Sequence, residues 1–185
     1  MVNKITIWKV LEPLLYKQES MHLADISRAL KSPHPTVRKY LNELERKGIV
    51  TRQIKGRLTL YKMNYSNPLT LDYFIAAEKD RLIEKGEKSL LMKEIISFFH
   101  ENAQEALIFG SAVEDVKSAN DIDVIVIGKI DNEKAKKFEK RLVIKLHMLN
   151  LASLGDVRPA LKAEIIDKHL IIEGSEKIVR WMLKS

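Results

Sequence analysis

The sequence predicts two domains: a mainly helical N-terminal domain that ends in a β-hairpin, and a C-terminal α/β domain with a small mixed sheet. The excess of basic over acidic residues is confined to the first third, and the pattern of that third ends near Asn67 and Pro68. Two apolar strand-like runs then flank a Gly-Ser pair and two aspartates. We place the domains at residues 1–66 and 88–185, with a helical connector over 67–87.

Composition excludes several classes of protein. No apolar run approaches the ~20 residues that cross a bilayer, so we expect no membrane association. Lys9, Glu12 and Pro13 interrupt the apolar N-terminal stretch, which is unlike a secretory signal and favours a cytoplasmic location. The chain has no cysteine, so disulfides and thiolate metal sites are excluded, and carboxylates and histidines are the candidate ligands.

Basic residues are concentrated near the N-terminus. Residues 1–65 contain thirteen Lys or Arg against five Asp or Glu, whereas residues 66–185 contain nineteen against twenty. A small domain with such a positive balance is typical of nucleic-acid binders, although surplus lysine is also common on plain solvated surfaces.

The N-terminal elements follow from apolar spacing and from helix stop signals. A first helix is predicted between residues 5 and 15, with Pro13 kinking it or beginning its last turn. A second helix is predicted from His22 to the polar turn "KSPHP". The third begins at Pro35, where a missing N–H costs nothing, and stops at Gly48.

After Gly48 the pattern changes to that of two extended segments around a turn at Lys55, Gly56 and Arg57. Three helices followed by a basic hairpin make a winged helix-turn-helix. In the third helix Val37, Leu41 and Leu44 form the predicted buried face, which leaves the polar side chains free to face a DNA groove.

The stretch "LADISRALKSPHPTVRKYLNELERKGIV" resembles the winged-helix transcriptional regulators of prokaryotes, over roughly residues 4–65. In that family the third helix enters the major groove of double-stranded DNA and the wing contacts the flanking backbone. The resemblance implies helix contacts from His34, Thr36, Arg38, Lys39 and Asn42, and wing contacts from Arg52, Lys55 and Arg57. The alternative is a dimerisation or protein-binding module whose basic side chains are merely solvated.

A long helical stretch follows Pro68, with an interruption predicted near Gly86. An apolar connector beside a helix-turn-helix often pairs two chains, since two-fold symmetry in the protein matches a palindromic DNA site. We therefore expect a homodimer.

The stretch "FGSAVEDVKSANDID" places Asp121 and Asp123 side by side, because side chains at i and i+2 of a strand project from one face. Two carboxylates this close repel each other unless a cation lies between them, and Mg²⁺ or Mn²⁺ meets that need. Gly110 permits close approach of an anion, and Ser111 at the start of a short helix offers it a hydroxyl and an amide. The alternative is an acidic loop before a buried strand.

This spacing, Gly110, Ser111, nine residues, then Asp121 and Asp123, resembles the nucleotidyltransferase superfamily that includes DNA polymerase beta, and most nearly its minimal prokaryotic and archaeal members. The resemblance covers about residues 88–185. It implies that the aspartates bind divalent ions, that the Gly-Ser turn holds the phosphates of a nucleoside triphosphate, and that an acceptor hydroxyl displaces pyrophosphate.

Two features depart from that family. Glu114 and Asp115 lie where phosphates are expected, and the strand predicted over 142–150 contains His147 but no third carboxylate. Histidine at such a position is either a weak metal ligand or phosphate contact, or it is structural.

Two functions therefore remain open. In one, the second domain transfers a nucleotidyl group to an acceptor, such as a protein partner of toxin–antitoxin type. In the other, the chain is a transcriptional regulator whose second domain is catalytically inactive and senses a nucleotide or forms the dimer.

Overall fold

The computed structural model describes residues 5–184. Residues 1–4 of the predicted first domain and Ser185 of the second lie outside the described residues. The chain divides into two compact units between Asp80 and Arg81. This division falls within one helix, α4 (Thr70–Lys88). Within residues 5–184, no helix combines the length and the apolar character needed to cross a membrane.

Three helices precede the β-hairpin in the first unit, and each begins at a sequence feature that favours a helix start. In α1 (Ile7–Leu11) the Thr6 hydroxyl accepts the Lys9 N–H at 3.1 Å, and a 3-10 turn containing Pro13 follows. Before α2 (Leu23–Ala29), His22 Nδ1 accepts the Ala24 N–H at 3.2 Å. The third helix, α3 (His34–Arg46), has proline in its first turn. The predicted three helices are therefore confirmed, and at Pro13, where a kink or a last turn was predicted, a 3-10 turn follows α1.

A three-stranded antiparallel sheet completes the winged part of this unit. It contains β1 (Met21–His22), β2 (Val50–Lys55) and β3 (Leu58–Met63), in the order β1-β3-β2. The β2–β3 hairpin turns at Gly56 and Arg57, with Lys55 opposite Leu58. Gly56 has φ +58, a left-handed conformation that suits glycine, so the predicted turn is confirmed.

The C-terminal segment of the first unit includes the start of α4. Asn67 lies between β3 and α4 and donates to the carbonyls of Lys47 and Gly48, both at 3.1 Å. Phe74 of α4 is fully buried and stacks edge-to-face with Tyr16 at a centroid distance of 5.2 Å. Residues just beyond the predicted 1–66 boundary thus contribute to the core of the first unit.

The second unit contains a mixed four-stranded sheet, as predicted. Its strands are β4 (Glu105–Phe109), β5 (Ile122–Ile127), β6 (Leu146–Leu151) and β7 (His169–Glu173), in the order β6-β5-β4-β7. β4 runs antiparallel to β5 and β7, whereas β5 and β6 are parallel. The last of the predicted strands begins at Leu146 and not at residue 142, because α6 extends to Leu142.

Four further helices belong to this unit: α5 (Leu90–Asn102), α6 (Asn132–Leu142), α7 (Pro159–Asp167) and α8 (Ser175–Leu183). The interruption predicted near Gly86 lies instead at Ser89, whose hydroxyl accepts the Met92 N–H and so starts α5.

One face of the strand β5 lies in the core of the second unit. Its side chains Ile122, Val124 and Val126 form this core with residues of α5 and α6. Because successive residues of a strand project to opposite faces, the intervening residues of β5, which include Asp123, point to the other face of the sheet.

Candidate nucleic-acid interface and aspartate site

The third helix separates an apolar side from a basic side. Val37, Leu41 and Leu44 are completely buried, which confirms the predicted inner face. Thr36 is half-buried, and the other predicted groove-facing side chains are exposed: His34, Arg38, Lys39 and Asn42. This exposure leaves their hydrogen-bonding groups available to an external partner.

An open groove of about 690 Å³ runs beside the exposed side of α3. It brings Arg52 of β2 together with Arg38, Lys39 and Arg46 of the helix. The helix α3 and the first strand of the wing, which follows it directly in sequence, thus contribute to one basic surface, as expected of a helix and a wing that contact the same duplex.

Acidic side chains moderate part of that surface. Glu45 lies in the groove and pairs with Arg52, with Nε and Oε1 3.1 Å apart. Glu43 pairs with Lys47 at 2.9 Å, and the hydrogen bond from Lys47 holds the pKa of Glu43 below its usual value. Arg38, Lys39 and Arg46 form no ion pair with another residue in the described range 5–184, so these three groove cations are more available to phosphate than Arg52.

The wing tip is basic and exposed. Lys55 and Arg57 flank Gly56 and form no ion pair with any side chain that the structure describes. Ile54 and Leu58 beside them are also exposed. The predicted wing contacts are therefore accessible, while their role in binding stays a prediction.

In the second unit, the Gly-Ser turn and the second aspartate are adjacent. A Cβ placed on Gly110, which has φ +74, would lie 3.3 Å from Asp123 Oδ2. Asp121 directly precedes β5 and Asp123 lies within it, and both are half-buried. The structure thus brings Gly110 and Asp123 together, as the predicted site requires.

Ser111 occupies a weaker position than predicted. The short helix that it was expected to begin is a four-residue 3-10 turn, Gly110–Val113, and Ser111 itself is exposed. Such a turn aligns few peptide dipoles, so it provides little of the anion attraction expected at the start of a longer helix.

Asp123 has a histidine partner on the adjacent strand. Because β5 and β6 are parallel, His147 lies opposite Asp123 in the register. His147 Nδ1 is 2.8 Å from Asp123 Oδ1. The strand β6 contains no acidic residue, and His147 occupies the strand position next to the aspartate.

The donor set for a metal is small. No group of three or more His, Cys, Asp or Glu residues within the described range is arranged to hold a metal ion. Asp121 and Asp123 provide two carboxylates, a number with which Mg²⁺ can bind when substrate phosphates and water supply the other ligands. The residues present therefore fit a metal that arrives with a nucleotide better than a resident one.

The two acids after the Gly-Ser turn are already bound to other groups. Glu114 pairs with Lys168 at 2.9 Å, and the hydrogen bond to Glu114 raises the pKa of Lys168. The Lys117 backbone N–H donates to Asp115 at 3.0 Å and, with Ser118, keeps the pKa of Asp115 below its usual value. The repulsion that these acids would exert on a phosphate is therefore partly offset.

Lys85 of α4 approaches the same turn and Arg81 of α4 contacts the start of β7, and neither contact was predicted. Lys85 donates to the carbonyls of Val113 and Glu114, and Arg81 donates to the His169 carbonyl at 2.7 Å. No sequence signal marks them, since both are remote in sequence from their partners. His169 is buried, and its Nδ1 lies 2.7 Å from the Ile165 carbonyl.

Comparison with known proteins gives one result. Residues 8–66 match the family model described as "Sugar-specific transcriptional regulator TrmB". No curated protein and no solved structure matches the chain significantly. No match covers the second unit, so its resemblance to nucleotidyltransferases stays a prediction. Residues 8–66 therefore form a winged helix-turn-helix domain of the type found in TrmB-family transcriptional regulators.

Proposed function

We propose that the protein is a transcriptional regulator that binds double-stranded DNA through α3 and the β2–β3 wing. The observation that carries this proposal is the exposed basic surface formed by Arg38, Lys39, Arg46 and Arg52 within the TrmB-type domain. Arginine and asparagine side chains on a helix of this size can reach base edges, and the wing-tip cations can contact phosphates.

The test measures binding to duplexes selected from a random pool, by fluorescence anisotropy. Arg38→Gln/Lys39→Gln should lower affinity roughly tenfold to a hundredfold and reduce the slope of log K against log salt by about 2. The matched control is Lys129→Gln/Lys137→Gln, which removes the same charge from exposed positions of the second unit. An equal loss in both variants, or none in either, would refute the assigned surface.

A homodimer is part of this proposal, since regulators of this architecture read two half-sites related by two-fold symmetry. Sedimentation equilibrium of the free protein and of the complex tests it. A stoichiometry of one chain per duplex at saturation contradicts it.

A second function is favoured by the contact of Gly110 with Asp123 and of Asp123 with His147. In this proposal Asp121 and Asp123 hold Mg²⁺ or Mn²⁺ carrying a nucleoside triphosphate. Bound metal would neutralise the phosphates and polarise the reacting phosphoryl group. His147 fixes the orientation of Asp123 through Oδ1, and Oδ2 remains on the side of Gly110, where a phosphate can approach the backbone.

Labelled ATP, CTP, GTP and UTP with either metal separate nucleotidyl transfer from nucleotide sensing. Transfer that Asp121→Ala/Asp123→Ala abolishes supports an enzyme whose acceptor is a protein or other hydroxyl donor. Metal-dependent binding without transfer supports a sensor in the regulator. Absence of metal-dependent binding in the wild type rejects both forms of this second proposal and leaves DNA binding unaffected.

A further inference from the structure

A second group of basic residues lies around a cavity of about 720 Å³ in the second unit. Four lysines line it, from three separate segments: Lys117 in the loop before β5, Lys136 and Lys140 on α6, and Lys145 before β6. Of the residues assigned to the metal-nucleotide site, only Asp121 borders this cavity.

The cavity has more positive than negative charge. Its two acids are Asp121 and Glu139, and Glu139 Oε1 already accepts the Leu146 N–H at 2.7 Å. Lys136 lies 3.5 Å from Glu133, outside the cavity. Lys140 and Lys145 have no acidic partner within ion-pair distance in the range 5–184. Uncompensated lysines that converge on one concavity favour an anionic ligand.

The remaining wall is largely apolar. Its side chains include Leu91, Val116, Ile122, Leu142 and Ile144. The volume is that of a pocket for a small molecule, within the range of about 300–1,000 Å³ seen for ligand sites. A ligand that combines phosphate with an organic part would place the first against the lysines and the second against the apolar wall.

A strained turn shapes the rim. Val143 lines the cavity in a left-handed conformation, with φ +53 and ψ +46, and is 90% exposed. A β-branched residue rarely adopts this conformation, and glycine is the usual choice after a helix. The turn lets the Ile144 N–H donate to the Glu139 carbonyl at 3.2 Å, and so leads the chain to Lys145. Retained strain of this kind is concentrated at functional sites.

We propose that this cavity binds a small phosphorylated organic anion without a divalent cation. Ile122 lines the cavity, so Asp123, the next residue of β5, points to the opposite face of the sheet. The cavity shares Asp121 with the proposed metal-nucleotide site, but its ligand needs neither the metal nor Asp123, so binding in EDTA distinguishes the two proposals. DNA binding by the first unit is not needed for the ligand to bind, and only the regulatory role of the site rests on that proposed function. It assigns the second unit a ligand site through which a regulator can respond to a metabolite.

A nucleic-acid backbone is the competing occupant of a lysine cluster. An extended strand requires a basic track along which successive phosphates lie. These lysines instead surround one concave volume with an apolar wall, which favours a single small ligand.

The experiment is isothermal titration calorimetry of the full chain with tripolyphosphate in the presence of EDTA. The wild type should bind, and Lys140→Gln/Lys145→Gln should weaken binding about tenfold or more, because two charge-assisted contacts are lost. The control Lys129→Gln/Lys137→Gln removes equal charge outside the cavity, with Lys137 on the same helix, and should change affinity less than about threefold. Circular dichroism checks that each variant is folded.

Three results of this titration would overturn the proposal. The first is failure of the wild type to bind tripolyphosphate, and the second is an equal loss of affinity in the two lysine variants. The third is displacement of tripolyphosphate by random single-stranded or duplex DNA whose own binding is weakened by Lys140→Gln/Lys145→Gln.

Arg38→Gln/Lys39→Gln separates the two basic surfaces. It should retain tripolyphosphate binding while losing duplex binding, and loss of tripolyphosphate binding there would place the anion on the DNA surface instead.

Discussion

The two units use lysine and arginine differently. In the first, Arg38, Lys39 and the wing-tip cations lie on an open exposed surface, as binding to an extended polyanion requires. In the second, Lys140 and Lys145 line a cavity. Net charge reveals only the first arrangement, because residues 66–185 contain nearly equal numbers of acids and bases. Balanced composition can therefore conceal a local concentration of charge.

The units also differ in how tightly their glycine turns are packed. Gly56 at the wing and Gly174 before α8 both have positive φ, at +58 and +76. A Cβ on Gly56 would meet nothing within 4 Å, whereas a Cβ on Gly174 would lie 2.6 Å from Glu105 Cγ and 3.3 Å from its Cα. The wing turn requires glycine for its conformation alone, and the turn before α8 requires it for space as well.

The largest predicted effect follows from this contrast. Gly174→Ala should lower the free energy of unfolding of the second unit by about 2–4 kcal/mol, the sum of left-handed strain and overpacking. Gly56→Ala is the matched control and should cost only about 1 kcal/mol in the first unit, since the strain acts alone.

Each unit has one tryptophan, Trp8 or Trp181, so fluorescence can follow them separately during urea unfolding. Gly174→Ala is measured in a Trp8→Phe background, in which Trp181 reports on the second unit alone. Gly56→Ala is measured in a Trp181→Phe background, in which Trp8 reports on the first unit alone. Equal costs at the two glycines would show that Glu105 moves away freely and that the two turns are equally packed.

An intermediate effect is expected from the acid in the basic groove. Glu45→Gln removes a negative charge and releases Arg52 from its ion pair, so duplex affinity should rise about threefold, as one exposed pair near phosphate allows. Fluorescence anisotropy at constant salt measures this. Glu176→Gln, which releases Arg180 in the second unit, is the control and should leave affinity unchanged. A fall in affinity on Glu45→Gln would mean that the ion pair positions Arg52 for binding.

The smallest effect concerns two acids, half-buried Glu43 of the first unit and exposed Asp115 of the second. The pKa of Glu43 is lowered first by a hydrogen bond from the charged Lys47, and that of Asp115 first by the backbone N–H of Lys117. Each lowered pKa stabilises the fold above the unfolded-state pKa, and this contribution is lost as pH falls through the folded-state value. Salt of about 1 M shortens the screening length to about 3 Å and so weakens attraction between charges, such as that between Glu43 and Lys47. A hydrogen bond from a neutral backbone N–H is less affected by salt. The pKa of Glu43 should therefore rise further toward its usual value than the pKa of Asp115. Carboxyl NMR titrations at two salt concentrations check this, and equal shifts would contradict it.

Much of the fold could be predicted because its signals are local. Pro35 and Gly48 bracket α3, and the apolar spacing of Val37, Leu41 and Leu44 identifies its buried face. The strands β4 and β5 are short apolar runs, which a single sequence also shows. The error at Gly86 arose because glycine alone was taken as the stop, whereas the Ser89 cap begins the next helix.

The sites were harder to predict because they depend on how separate helices and strands pack against each other. His147 could be named as a candidate, but only the parallel register of β5 and β6 places it against Asp123. The pairing of Arg52 with Glu45 depends on where β2 lies beside α3. The lysine cavity was missed because its four members come from three segments, and none belongs to a recognisable motif.

The most direct test of DNA binding by α3 and the wing is a map of backbone amide NMR shifts during titration with a selected duplex. Our account predicts that the largest changes fall in His34–Arg46 and Val50–Met63, and that Arg38→Gln/Lys39→Gln reduces them at the same duplex concentration. Changes concentrated instead at Lys117, Lys140 and Lys145, with α3 and the wing unaffected, would contradict it.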